Sequence, residues 1–156
     1  MTDAHDVLRT RPLFAIRLAV DSLLTVGGPE GHALRLANVP GGSFEGDRLR
    51  GVVLPGGTDW QTLRVDGTVL IDARIVLQTD RGALVAMMYS GIRHGPPEVL
   101  SRLGRGERVD PASYYFRIVP SFTTSDPALD WLNRVVAIGN GQRLPGGPSY
   151  FIHEIL

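Results

Sequence analysis

The sequence predicts an all-β protein, a closed antiparallel barrel or a sandwich, from three observations. Strand-length segments recur along the chain, turn signals separate them, and long helical periodicity is missing. The 156 residues suit a single domain, 1–156, large enough to bury on the order of two-thirds of its unfolded surface. About nine strands with minimal helix are expected.

Residues 1–11 read as a flexible N-terminal tail. The first strand is residues 13–20 (LFAIRLAV), followed by a Gly-Gly-Pro loop at 27–29. Strands at 32–38, 44–54 and 60–65 come next, the last ended by Asp66-Gly67, a hairpin turn pair. Residues 68–79 form the longest strand, and Asp80-Arg81-Gly82 turns it into 83–93. Residues 96–103 (PPEVLSRL) fit a short helix with prolines at its start and Gly104 at its end. The strand at 113–122 contains Pro120, which marks an edge, a bulge or the strand's end. One helical turn at 126–132, a strand at 134–139, the loop GNGQRLPGGPS and a strand at 150–156 complete the chain.

Composition narrows the function classes. Sixteen basic and 16 acidic side chains cancel, so nucleic acid, which asks for a basic excess, is not an expected partner. Cysteine is absent, which removes disulfides, thiolate ligands and thiol nucleophiles. Every basic residue counted is arginine, so an internal lysine cannot form a Schiff base. The start carries acids and no apolar signal region, and no window reaches the roughly 18 apolar residues of a membrane span. A cytoplasmic protein without membrane partner is expected.

The richest segment is 41–60, GGSFEGDRLRGVVLPGGTDW, with six glycines around acids and a tryptophan. Glycine at this density indicates backbone shaped around another group. Asp59-Trp60 reads in two ways: a turn aspartate bonding nearby amides, or a carboxylate held against an aromatic wall and able to act as general acid or base. Glu45 is either an exterior strand charge or an inward carboxylate between glycines.

Period-two alternation sorts the long hairpin into faces. Val69, Ile71, Ala73, Ile75 and Leu77 make one wholly apolar face, and Asp72 and Arg74 share the other. Tyr89 and Arg93 share a face of the partner strand, and Tyr115 and Arg117 share one of the later strand. If the mixed face is outside, Asp72 and Arg74 are a solvated pair worth under about 1 kcal/mol. If it lines a lumen, these residues form a pocket of apolar walls with a few polar anchors. Trp131 is a core plug or a substrate platform.

Other chemistries lack their motifs. Histidines at 5, 32, 94 and 153 have no spacing that sets two on one face, so no metal site is expected. Ser43 in GGSFEG lacks the nucleophile-elbow pattern. The glycine pairs are not followed by helix starts with phosphate-binding spacing.

Taken in order, GGSFEG at 41–46, LRGVVLPGGTDW at 49–60, DG at 66–67, DAR at 72–74, SGIRHGP at 90–96, YYFR at 114–117 and WLN at 131–133 resemble the microbial family catalogued as domain of unknown function 3237, also uncharacterised protein family 0311. The resemblance spans about residues 12–155. It implies a closed antiparallel barrel similar to the allene oxide cyclase barrel, often a homo-oligomer, and brings no settled activity. The family pattern sets its polar residues at Glu45, Asp59, Trp60, Asp72, Arg74, Tyr89, Arg93, Arg117, Trp131 and Asn133.

The functional expectation is a barrel that binds a small molecule and acts, without a cofactor, as an isomerase, cyclase or lyase on a small organic acid or carbonyl compound. Asp59 or Asp72 would move the proton, Arg74 or Arg117 would orient the anion, and Trp60 with Tyr89 would form the wall. The alternatives are a non-enzymatic binding barrel and a structural oligomer.

Overall fold

The structure is a computed structural model describing residues 4–156. Residues 1–3 of the expected tail lie outside the described residues; within its remainder a 3-10 turn spans Ala4–Asp6 and the first strand begins at Thr10.

Eleven strands follow: β1 (Thr10–Ala19), β2 (Ser22–Gly27), β3 (His32–Val39), β4 (Gly41–Glu45), β5 (Arg50–Val53), β6 (Gly57–Arg64), β7 (Val69–Thr79), β8 (Leu84–His94), β9 (Tyr115–Thr123), β10 (Ala137–Leu144) and β11 (Gly147–Ile155). One helix, α1 (Pro97–Gly104), and 3-10 segments at Pro111–Ser113 and Pro127–Arg134 complete the fold. Eight strands close an antiparallel ring in the order β7-β5-β4-β1-β11-β10-β9-β8, with β8 returning to β7.

The remaining three strands form a leaf, β2-β3-β6, attached to the ring through β7. One edge of β7 is shared: residues 69–74 pair with β6 and residues 77–79 with β5. The chain passes from ring to leaf at short breaks, Val20-Asp21 between β1 and β2, Pro40 between β3 and β4, and Leu54-Pro55-Gly56 between β5 and β6.

Alternation built the core. The apolar odd face of β7 is buried together with Val85, Met87 and Tyr89 of β8 and the even residues Phe116, Ile118 and Phe122 of β9. Burying such a face removes apolar surface from water at about 25 cal/mol per Å². Phe14 fills one end of the ring, its ring centroid 5.5 Å from that of Phe44 and 5.9 Å from that of Phe122. Beyond it Glu154 is buried, accepting from Arg11 Nε at 2.6 Å and Arg48 Nη1 at 3.4 Å.

The expected barrel is present, and its strand count differs for physical reasons. Residues 44–54 are two strands, because Gly46 to Leu49 turns between β4 and β5. Residues 22–27 form β2, an exposed edge whose Leu23, Leu24 and Val26 lack a clean two-face alternation. Strand β10 continues through GNGQR where a loop was expected. Its glycines are there for close approach: a Cβ at Gly139 would stand 2.7 Å from Ile118, and one at Gly141 would stand 2.6 Å from the Phe116 ring. The turn at Asp66-Gly67 forms as expected, with Gly67 at φ +85. Pro120 sits inside β9, beyond the short stretch where β10 pairs with that strand, so the missing N–H falls on a free edge.

Candidate functional site

The leaf and the ring flank a half-open cavity of about 710 Å³. Its lining draws Arg35 and Ala37 from β3, Asp59 and Gln61 from β6, Arg93 from β8, Phe116 from β9, Arg143 from β10 and Tyr150 from β11. Helix α1 and the turn at Asp66-Gly67 border it, with Leu100 against Gly67. Room beside the acid comes from small neighbours, since Asp59 pairs across the sheet with Ala37 on β3 and Ala73 on β7.

Asp59 is 5% exposed. Its Oδ2 accepts from Gln61 Nε2 at 2.7 Å, and Gln61 Oε1 accepts from Arg35 Nε at 2.8 Å. Its Oδ1 has no partner. Arg93 Nε and the Tyr150 hydroxyl are likewise buried and unpaired, and among the described residues these three are the side-chain atoms left in that state. Each such group costs about 1–3 kcal/mol, and all three belong to one cavity.

Burial dominates the electrostatics. It raises the Asp59 carboxyl above its ordinary 3.8, against the opposing effects of the Gln61 hydrogen bond and the charges of Arg93 and Arg35. It lowers Arg93 to about 10, helped by the guanidiniums of Arg143 and Arg35, which leaves Arg93 charged at neutral pH. Burial also pushes the Tyr89 and Tyr150 phenols up, with Asp59 adding to both. Three guanidiniums thus face one buried carboxylate, and the space favours an anion.

The aromatic wall is Phe116 and Tyr150, with Tyr89 packed behind Tyr150. Tyr150 meets Tyr89 edge to face at 5.4 Å and Phe116 at 5.3 Å. Arg93 lies 5.5 Å from the Phe116 ring centre. Tyr114 is committed elsewhere, its hydroxyl accepting from the Arg143 amide at 2.8 Å.

Of the residues expected from the sequence, Asp59 and Arg93 line this cavity, and Tyr89 is buried behind its wall, against Tyr150. The others lie elsewhere. Asp72, Arg74 and Arg117 are exposed on the outer face, because the apolar side of the hairpin turned inward. Trp60 alternates with Asp59 and is 44% exposed, opposite Asp72 on the outside. Glu45 borders an outer groove with Arg17 and Arg50. Trp131 stacks under Arg48, 3.4 Å from guanidinium to ring centre, at the Phe14 end. Asn133 staples a loop, accepting from Thr124 N at 2.8 Å and donating to Thr124 O at 2.9 Å.

Sequence reasoning missed Arg35, Gln61, Arg143, Phe116 and Tyr150. Period two from Asp59 would have found Gln61. Arg143 lay in the stretch GNGQRLPGGPS read as loop, and Tyr150 was read only as the start of the last strand. Among the described residues no cluster of three His, Asp or Glu could hold a metal, and no helix is long and apolar enough to cross a membrane.

Tyr150→Phe removes an unpaired hydroxyl from a fully buried ring. It is expected to change stability by less than about 1 kcal/mol, by chemical denaturation, because the Tyr89 phenol beside the hydroxyl makes no well-formed hydrogen bond with it. A loss above about 1 kcal/mol would show that the hydroxyl has a partner within the fold.

Comparison with known proteins follows the fold and the sequence alike. The profile of the family described as "Protein of unknown function (DUF3237)" matches residues 8–155. A UPF0311 protein of Rhodopseudomonas palustris is 34% identical over 149 residues, covering 96% of this chain and 97% of that protein. A crystal structure from that organism, described as a conserved protein of unknown function, superposes with TM-score 0.93 at 33% identity, covering 96% of this chain and 99% of its own. A "beta-barrel like protein" from Acinetobacter baumannii gives TM-score 0.84 at 36% identity, over 96% and 97% of the two chains. A structure titled as an enzyme from Penicillium herquei gives 0.73 at 23% identity, over 96% and 95%, a likeness in fold alone.

Proposed function

The chain belongs to the DUF3237 family, and we propose that its barrel binds a small organic acid or carbonyl compound and acts on it as a cofactor-independent isomerase, cyclase or lyase. One observation carries this reading: the three unpaired buried polar atoms belong to side chains that line a single cavity. A fold keeps such groups at a cost to stability when a ligand completes them.

The roles follow from the chemistry of each group. Arg93, with Arg35 and Arg143 nearby, attracts and orients an anionic group, and its free Nε–H supplies a charge-assisted hydrogen bond. Phe116 and Tyr150, the latter braced by Tyr89, hold an apolar or aromatic body in one conformation. Asp59, raised by burial toward the working range of a general acid or base, moves the proton. Reactions that rearrange one molecule need little more than this: a proton mover, a charge anchor and a shaped wall. A carrier would use the same anchors without needing Asp59 to titrate.

A melting screen with hydroxy, keto and aromatic acids tests the proposal. At least one class is expected to raise the midpoint, since ligand at a hundredfold excess over its Kd adds about 2.7 kcal/mol. Arg93→Met should erase that rise. No rise with any class would sink the reading; a rise without turnover of any hit would favour the carrier.

A further inference from the structure

Resting on the reading of Asp59 as the proton mover, we propose that Asp59 serves as a proton donor through Oδ1, with Gln61 and Arg35 as the positioning residues that keep the proton on that oxygen. The substrate class is thereby narrowed to compounds that present a neutral proton acceptor, a carbonyl oxygen, to Oδ1.

The argument is one of donors and acceptors. A guanidinium has only donors. Arg35 Nε donates to Gln61 Oε1 at 2.8 Å, so the amide oxygen is committed to Arg35 and the amide NH2 faces the other way. That NH2 donates to Asp59 Oδ2 at 2.7 Å. A reversed amide would set NH2 against Arg35 Nε, losing the charge-assisted bond, so the observed orientation with NH2 toward Oδ2 is the one Arg35 selects. In a neutral carboxyl the carbonyl oxygen is the better acceptor, so Oδ2 is the carbonyl and the hydroxyl is Oδ1. Oδ1 is the buried oxygen without a partner.

The surroundings agree. Asp59 is faced by Arg35 from β3, Arg93 and Tyr89 from β8, Arg143 from β10 and Tyr150 from β11, with Asp72 acting through the sheet from the far face of β7. The guanidiniums cannot accept the proton, and the raised phenols do not compete for it. In the simplest step the Oδ1–H bond breaks as an O–H bond forms on the substrate carbonyl, and the electron pair stays on Asp59 as carboxylate. A proton leaving the adjacent substrate carbon then returns to Oδ1, its C–H electrons becoming the new C=C bond. The acid is restored and no co-reactant is consumed.

The test needs no substrate, so its failure is separate from failure of the ligand screen. In labelled protein the Gln61 side-chain NH2 signals are expected to titrate with the Asp59 carboxyl carbon. Gln61→Leu should raise that midpoint by about one pH unit, because a donor to the charged form is gone. It should also move the infrared C=O stretch of the protonated acid upward, because the carbonyl has lost its hydrogen bond. Gln61→Glu, which still accepts from Arg35 but cannot donate when ionised, should raise the midpoint further. Arg35→Met reports the same relay from a half-buried position should Gln61→Leu not fold. An unchanged midpoint and stretch in a folded variant, or Gln61 signals that ignore the titration, would overturn the proposal.

Discussion

Asp59→Asn is expected to make the protein more stable and less able to catalyse. The amide is nearly the same size, its oxygen can still accept from Gln61, and it never has to be charged inside the barrel. Relief of that burden is worth on the order of 1–2 kcal/mol at neutral pH. Its pH dependence has a definite sign. The native carboxyl sits above the ordinary 3.8 of an unfolded chain, so folding binds a proton in the window between the two values. Stability from Asp59 is therefore full below about pH 4 and is lost as pH rises through the native value. The advantage of the Asn variant should be absent near pH 3, open above pH 4 and level off once native Asp59 has ionised. Denaturant midpoints for both proteins across that range measure it. Turnover of a hit from the acid screen should fall by about 10²–10⁴-fold, the usual worth of a general acid or base. An equally active variant would remove Asp59 from the mechanism, and one that lost stability at every pH would make it a structural acid.

Phe14→Ala is expected to cost about 3–5 kcal/mol, a large part of the 5–15 kcal/mol that holds a typical domain together. Phe14 joins strands that are distant around the ring, touching Phe44 of β4 and Phe122 of β9 from β1. Its loss leaves a void at the closed end that no neighbour can fill without moving a strand. The cavity at the other end is built from different residues, so ligand binding per folded molecule should be unchanged. Urea unfolding and the melting rise with a screened acid separate the two effects. A cost below about 1 kcal/mol would mean that this end collapses readily.

Much of the architecture was legible in the sequence, and the orientation of its faces was the weak point. The hairpin of β7 and β8 was plain from Asp80-Arg81-Gly82 and from the unbroken apolar run at odd positions. Alternation says that two faces exist, however, and not which one a closed sheet turns inward. Polar residues on β7 and β9 drew attention to Asp72, Arg74 and Arg117, whereas the polar groups in the interior enter from β3, β6, β8, β10 and β11. One of those strands, β10, carries glycines where neighbouring side chains press close, Gly139 and Gly141, and glycine in a sequence reads as a turn before it reads as contact. Asp59 was recognisable because it stood in a segment whose glycines already signalled constraint. Trp60 faces away from the cavity for the same reason that Asp59 lines it: adjacent residues in a strand cannot face the same way.

The pairing of β1 with β11, Thr10 opposite Ile155, has a meaning for how the protein comes into being. The ring is a belt whose buckle joins an early strand to the last one, across the whole length of the chain. During synthesis the early strands must wait, edges open, until the segment carrying Tyr150 has emerged, and contacts of such long range make folding slow. The same late segment supplies one of the cavity's three unpaired polar atoms. A pocket with all three groups therefore requires β11, the strand that closes the belt against β1.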